Sequence, residues 1–212
     1  MELSFFNLDI EPTNRCNAKC YFCPRDQTPH QGLMAPDVFD ASLARAVELR
    51  AVIAERFGVD LHVNLCGLGE PLLNKHTPSF VEKVRGEGFF CSMSSNGALL
   101  TEARSEALLA AGLQAVEINV GENGDDYEEI YGLPWDKTLA NVERFAQMAG
   151  DECAVRIVLV DHRQDIGHLL RMKAFWTERG IDQFLTFGIM NRGGTLAVDH
   201  MQAARLQLLD LY

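Results

Sequence analysis

The chain has 212 residues, enough for one domain with a substantial core. Its 47% apolar and 23% charged residues suit a soluble globular protein, and a formal net charge of −11 opposes nucleic-acid binding, which needs clustered Lys and Arg. No apolar run approaches the roughly 20 residues of a membrane span. The start, MELSFFNLDIEP, lacks a basic stretch before an apolar one, so a signal peptide is not expected and the thiols are expected in reducing cytoplasm.

Taken in chain order, short β-branched and aromatic runs predict strands at 5–11, 61–66, 89–94, 115–120, 154–160 and 184–189. Amphipathic stretches between them predict helices at 37–57, 77–87, 102–111, 135–149 and 164–179. Asp37 is a candidate cap for the first helix, and Thr101, with Arg104 and Ser105, opens the third. Gly58, Gly112, Gly150 and Gly180 follow helix ends. Such alternation predicts an α/β fold with a mainly parallel sheet, either open and doubly wound or an incomplete (β/α)6 TIM-like barrel.

Period-2 alternation favours the second. Asn7, Asp9 and Glu11 oppose Phe6, Leu8 and Ile10, and His62, Asn64 and Cys66 oppose Leu61, Val63 and Leu65. Phe90, Ser92, Ser94 and Asn96 share a face, and Glu117 and Asn119 oppose Val116, Ile118 and Val120. A doubly wound sheet is covered on both faces and reads as continuous apolar runs. One polar face points to an open barrel whose lumen holds a polar ligand.

Directly after the first strand, NRCNAKCYFC places Cys16, Cys20 and Cys23 in a loop kept from helix by Pro12, Asn14, Asn17 and Pro24. Three readings stand for them. They are buried small residues, or ligands to zinc completed by Cys66 or a histidine, or ligands to an iron–sulfur cluster with one open iron. GLGEPL (67–72) follows a strand and begins G-x-G, but Leu72 and Pro71 stand where a nicotinamide-dinucleotide loop needs a third glycine and a free turn. Thus a zinc-binding structural module and a nicotinamide-dependent dehydrogenase remain as alternatives. Cys66, Cys91 and Cys153 read as core residues, with only Cys66 facing the lumen. Arg156 interrupts an apolar strand and needs a partner, either Glu117 or Asp9 or a ligand anion.

The C-x₃-C-x₂-C spacing, with Phe22 before the last cysteine, resembles the radical S-adenosylmethionine (SAM) superfamily. CGLGEPLLN (66–74) is similar to that family's Gly-Gly-Glu-Pro segment and MSSNGALL (93–100) to its Thr-Asn-Gly turn. YEEIYGLPWDKTLANVERF and NRGG (191–194) resemble the branch whose members carry a SPASM or Twitch extension for auxiliary clusters. The resemblance implies an incomplete six-unit barrel in which Cys16, Cys20 and Cys23 hold a [4Fe–4S] cluster and SAM takes the fourth iron. It further implies SAM contacts from Phe22, the Gly67, Leu68, Gly69 and Glu70 segment, Ser94, Ser95, Asn96, Glu117, Asn119, Arg156 and Ile189. The family's usual serine is missing from the fourth strand. Reductive cleavage of SAM to a 5′-deoxyadenosyl radical is implied, with a flavodoxin- or ferredoxin-type electron donor and a peptide or small natural-product-like substrate. Residues 1–212 are expected to be one core domain without the auxiliary-cluster extension, since no cysteine follows Cys153 and the sequence ends in the helix-like MQAARLQLLDLY; the alternatives are a minimal member of the family and the core of a longer protein.

Overall fold

The computed structural model describes residues 4–188. Six strands lie in sequential order: β1 (Phe5–Ile10), β2 (Asp60–Leu65), β3 (Cys91–Ser95), β4 (Ala115–Asn119), β5 (Ala154–Asp161) and β6 (Gln183–Gly188). Every neighbouring pair is parallel. Six helices alternate with them: α1 (Pro36–Phe57), α2 (Thr77–Gly86), α3 (Glu102–Ala110), α4 (Gly124–Tyr131), α5 (Trp135–Ala149) and α6 (Ile166–Thr177). The sheet curls into a half-barrel, an incomplete TIM-like fold. A strand order without reversal leaves no topological switch point of the kind dinucleotide-binding sheets use, which removes the doubly wound alternative.

The apolar strand faces turn outward to the helices. Leu61, Val63, Leu65, Met93, Val116, Ile118, Ile157 and Leu159 are buried there, with Phe39 and Phe80 stacked at 4.0 Å between α1 and α2. Burying each such side chain contributes about 1.5–3 kcal/mol, which makes this outer shell the core of the protein. Trp176 of α6 is fully buried and donates from Nε1 to the Val120 carbonyl at 3.2 Å. The polar faces are left to line the interior, as the alternation predicts.

Helix ends depart from the sequence reading in two places. Ala35, not Asp37, is the N-cap of α1, because Pro36 occupies the first helical position; Asp37 sits in the first turn, where its charge favours the positive end of the helix dipole. The short α4 was not predicted. It begins at Gly124 and stops at Gly132, whose φ of 65° suits glycine. Among the predicted C-terminal glycines, Gly58, Gly112, Gly150 and Gly180 all have positive φ. Ile189, the NRGG segment and the helix-like chain end lie outside the described residues.

Candidate active site

The cysteine loop is held by side chains rather than by regular structure. Thr13 pairs with Leu33 in an isolated antiparallel bridge, and its hydroxyl donates to the Gly32 carbonyl at 2.6 Å. Asn14 accepts from the Gly32 amide and donates to the His30 carbonyl. Arg25 forks onto the carbonyls of Cys16 and Ala18, each at 3.1 Å. Asn96, at the end of β3, donates to Asn17 Oδ1 at 2.9 Å, and the Lys19 amide donates to the Tyr131 carbonyl at 2.8 Å. These ties turn Cys16, Cys20 and Cys23 onto one cavity of about 850 Å³.

The thiols are electrostatically strained together. Burial, followed by the neighbouring Cys16 and Cys23, pushes the Cys20 thiol up to about 12, and burial raises Cys16 as well. Opposing this, the Ala18 amide donates to Cys16 Sγ at 3.4 Å and the Asn96 amide group approaches it at 3.8 Å. A bound positive centre would favour the thiolate forms of Cys16 and Cys20 against this burial. Among the described residues, no three His, Cys, Asp or Glu side chains gather closely enough to hold a single metal ion.

The 66–74 segment crosses the top of β2 in close contact with the chain entering the cysteine loop. A Cβ on Gly67 would stand 2.2 Å from the Glu11 carboxylate, and one on Gly69 would stand 2.0 Å from the Thr13 carbonyl oxygen. Only glycine permits this approach. Leu68 donates its amide to Glu11, and the Glu70 amide donates to the Arg15 carbonyl. The Glu70 carboxylate is buried and accepts from the Leu72 amide at 3.2 Å, the Ser95 hydroxyl at 3.0 Å and the Asn96 amide at 2.8 Å. Burial raises its pKa against those three hydrogen bonds. Glu70 therefore clamps the 3-10 turn Pro71–Leu73 to the end of β3.

Across the lumen, Ser94 donates to Glu117 at 3.1 Å, and Arg156 stands 3.9 Å from Glu117 and donates from Nε to Gln183 at 3.4 Å. Ser95, Asn96 and Asn119 join the same wall. Phe22 also lines it, edge-on to Tyr131. Polar strand ends from β1 to β4 thus face an apolar wall of Val158, Val160, Leu185 and Phe187. His62 stacks on Phe5 at 4.2 Å and tilts against Phe90 in the same lining. Cys66 faces the cavity, while Cys91 and Cys153 are buried in the core, where burial pushes each thiol up to about 12.

A charged cluster beside the cavity mouth was not found in the sequence. Glu122, just after β4, is fully buried and receives His162 at 2.5 Å and Arg163 at 2.8 and 3.0 Å, with His168 at 3.1 Å. The signal available was positional: an acidic residue after the fourth strand and a basic pair, His162 and Arg163, after the fifth. Both stand at the ends of strands where parallel folds keep their chemistry.

Residues 10–172 match the family model of the radical SAM superfamily. A probable GTP 3′,8-cyclase of Methanococcus maripaludis is 31% identical over 133 residues, covering 61% of this chain and 40% of that protein. The PqqA peptide cyclase of Rhizobium meliloti is 27% identical over 188 residues, covering 82% of this chain and 46% of that protein. In fold, the chain is similar to Streptococcus suis SuiB bound to its precursor peptide SuiA, with a TM-score of 0.69, 18% identity, and 99% of this chain and 46% of that chain covered. The chain spans less than half the length of each. Because the family match takes in the cysteine loop, the 66–74 segment and the whole of β2 to β5, the chain belongs to the radical SAM superfamily, whose cofactors are a [4Fe–4S] cluster and S-adenosylmethionine.

Proposed function

We propose that Cys16, Cys20 and Cys23 hold the cluster and that the polar wall of the lumen holds SAM. The observation that carries this reading is the placement of all three thiols on one cavity wall with the 66–70 segment and the ends of β3 and β4. The donor set fits: three thiols of one loop share a cavity wall, and thiols are the ligands such clusters take. The chemistry these cofactors supply when bound is one-electron cleavage of SAM to methionine and a 5′-deoxyadenosyl radical, which takes a hydrogen atom from the substrate.

The chain's own residues orient and shield. Backbone groups of Gly67, Leu68 and Gly69 receive the methionyl ammonium, with Glu70 holding that segment in place. Phe22 packs on the adenine, and Ser94, Glu117 and Asn119 meet ribose hydroxyls. Ser95 and Asn96 tie the pocket to Glu70 and the cysteine loop. The apolar wall keeps water from the reacting centre. A peptide or small natural-product-like substrate enters against it, a reading supported by the relative named as a peptide cyclase. A flavodoxin- or ferredoxin-type donor supplies the electron. Residues 1–212 act as one core unit in cytoplasm. Among the described residues, no helix is long and apolar enough to cross a membrane.

Anaerobically reconstituted protein should carry about four irons per chain. With dithionite and SAM it should release 5′-deoxyadenosine, and faster when substrate is present. Stoichiometric zinc without iron, or cluster-loaded protein that binds SAM yet releases no deoxyadenosine, would refute the reading.

Arg156 is assigned to the SAM carboxylate, since its contact with Glu117 at 3.9 Å is too long to occupy the guanidinium fork. Replacing Arg156 with leucine should weaken SAM binding about tenfold, the size of one charged hydrogen-bonding contact, with iron content unchanged. Equal affinity by equilibrium dialysis would return Arg156 to a structural pair with Glu117.

A further inference from the structure

The Glu122 cluster takes no part in the site proposed above, yet it reaches the cysteine loop. An unpaired carboxylate buried this deeply would be strongly destabilising. Here Arg163 meets it with two N–H···O bonds, and Arg163 itself is braced by Asp126 at 2.7 Å. His168 donates near the same oxygen and to the Gly121 carbonyl, each at 3.1 Å. Burial opposes ionisation of Glu122, but the hydrogen bonds from His162 and Arg163 outweigh it and hold the pKa below the usual carboxylate range.

An ionised carboxylate only accepts hydrogen bonds, so His162 Nε2 carries the proton in its bond to Glu122. The other ring nitrogen, Nδ1, stands 3.1 Å from the Tyr21 hydroxyl. Glu122 in this way fixes the orientation of the ring that brings Nδ1 to Tyr21, as second-layer carboxylates do for ligating histidines. The His162 ring also lies face to face with Phe22, 25° from parallel at 5.9 Å. The ties from Arg25, Asn96 and Tyr131 reach residues 16–19. In the stretch between the second and third cysteines, the Cys23 amide donates to the Cys20 carbonyl at 3.0 Å and Phe22 meets Tyr131 edge-on, and His162 adds the one side-chain contact shared by Tyr21 and Phe22 from beyond β5.

We infer that Arg163 and His168, gathered on the buried Glu122 carboxylate, form a hub that holds His162 as a positioning residue, which helps to fix Tyr21 and Phe22 and so sets the adenine side of the SAM pocket. The inference rests on the reading that Phe22 belongs to that pocket. It differs from a simple tie between the loops after β4 and β5, because such a tie would leave residues 21 and 22 untouched.

Two variants separate these cases. Tyr21→Phe removes one hydroxyl from a half-exposed ring and leaves the hub whole. His162→Phe keeps a ring against Phe22 but can hydrogen-bond neither Tyr21 nor Glu122. In cluster-free protein, Tyr21→Phe should raise amide hydrogen exchange across residues 20–23 about fivefold, the factor equivalent to about 1 kcal/mol for one hydrogen bond. Exchange across 122–132 should stay at the wild-type rate in that variant. In reconstituted protein with unchanged iron, both variants should raise the Kd for SAM about fivefold, read from the SAM-induced change in the electron paramagnetic resonance spectrum of the reduced cluster. The double variant should lose no more than His162→Phe alone.

Wild-type exchange in Tyr21→Phe, or an unchanged Kd in both variants, would overturn the inference. Should His162→Phe not fold, Tyr21→Phe decides by itself. A wild-type spectrum indifferent to SAM would sink the SAM-pocket reading instead, and the exchange measurement would then judge the positioning role alone.

Discussion

Cys20→Ala is expected to release no 5′-deoxyadenosine at all, against steady release by the wild type under dithionite with SAM. Among the loop thiols, Cys20 is the one pushed up to about 12, by burial and then by Cys16 and Cys23 on either side. Its sulfur therefore gains most from a positive centre, and its loss leaves two thiols in the loop. Two ligands do not hold a cubane in place of three. Iron after anaerobic reconstitution should fall from about four per chain to well under half that amount. The fold should persist, because the loop is held by Arg25, Asn96 and Lys19 rather than by the Cys20 side chain. Circular dichroism and a wild-type melting temperature would confirm this. A Cys20→Ala protein that keeps its iron and makes deoxyadenosine would remove the three-cysteine assignment.

The second large effect is steric. Gly69→Ala places a Cβ 2.0 Å from the Thr13 carbonyl oxygen and 2.6 Å from that of Arg15. Both are backbone atoms, so no side chain can swing aside. Relief requires moving residues 13–15, which breaks the Glu70 amide bond to Arg15 and displaces the chain just before Cys16. A cost of about 3 kcal/mol is expected, at the upper end of overpacking effects. For a chain of this size that is about 6–12 °C in Tm. Cluster loading should drop with it, because the cysteine loop shifts. Gly86→Ala is the control: its Cβ meets nothing within 4 Å at the end of α2, so stability should hold or rise slightly. Equal melting temperatures for the two variants would mean that the 66–70 segment yields more easily than its contacts indicate.

The sites of these variants were legible to different degrees before the fold was known. Cys20 stands out by spacing alone. Gly69 reads as part of a motif, but its reason, the Thr13 and Arg15 carbonyls, belongs to residues far earlier in the chain. Glu70 shows the same limit. The sequence places it after β2 near a ligand, but its bonds to Leu72, Ser95 and Asn96 are seen only in the fold. Helix α4 escaped because eight residues carry barely two turns of pattern.

By itself, the sequence determined what is local and periodic. Side chains alternate every second residue along a strand, so His62, Asn64, Ser92, Ser94, Glu117 and Asn119 had to share an interior once their apolar neighbours were buried. Three cysteines within eight positions of a loop likewise had to meet. What only the tertiary structure decided is which strand ends converge. Tyr21 and His162 are 141 residues apart, and Glu122 and His162 are 40 apart. No spacing rule links them. They meet because parallel strands carry all their C-terminal ends to one side, and the curl of the sheet brings the loops after β1, β4 and β5 around a single cavity.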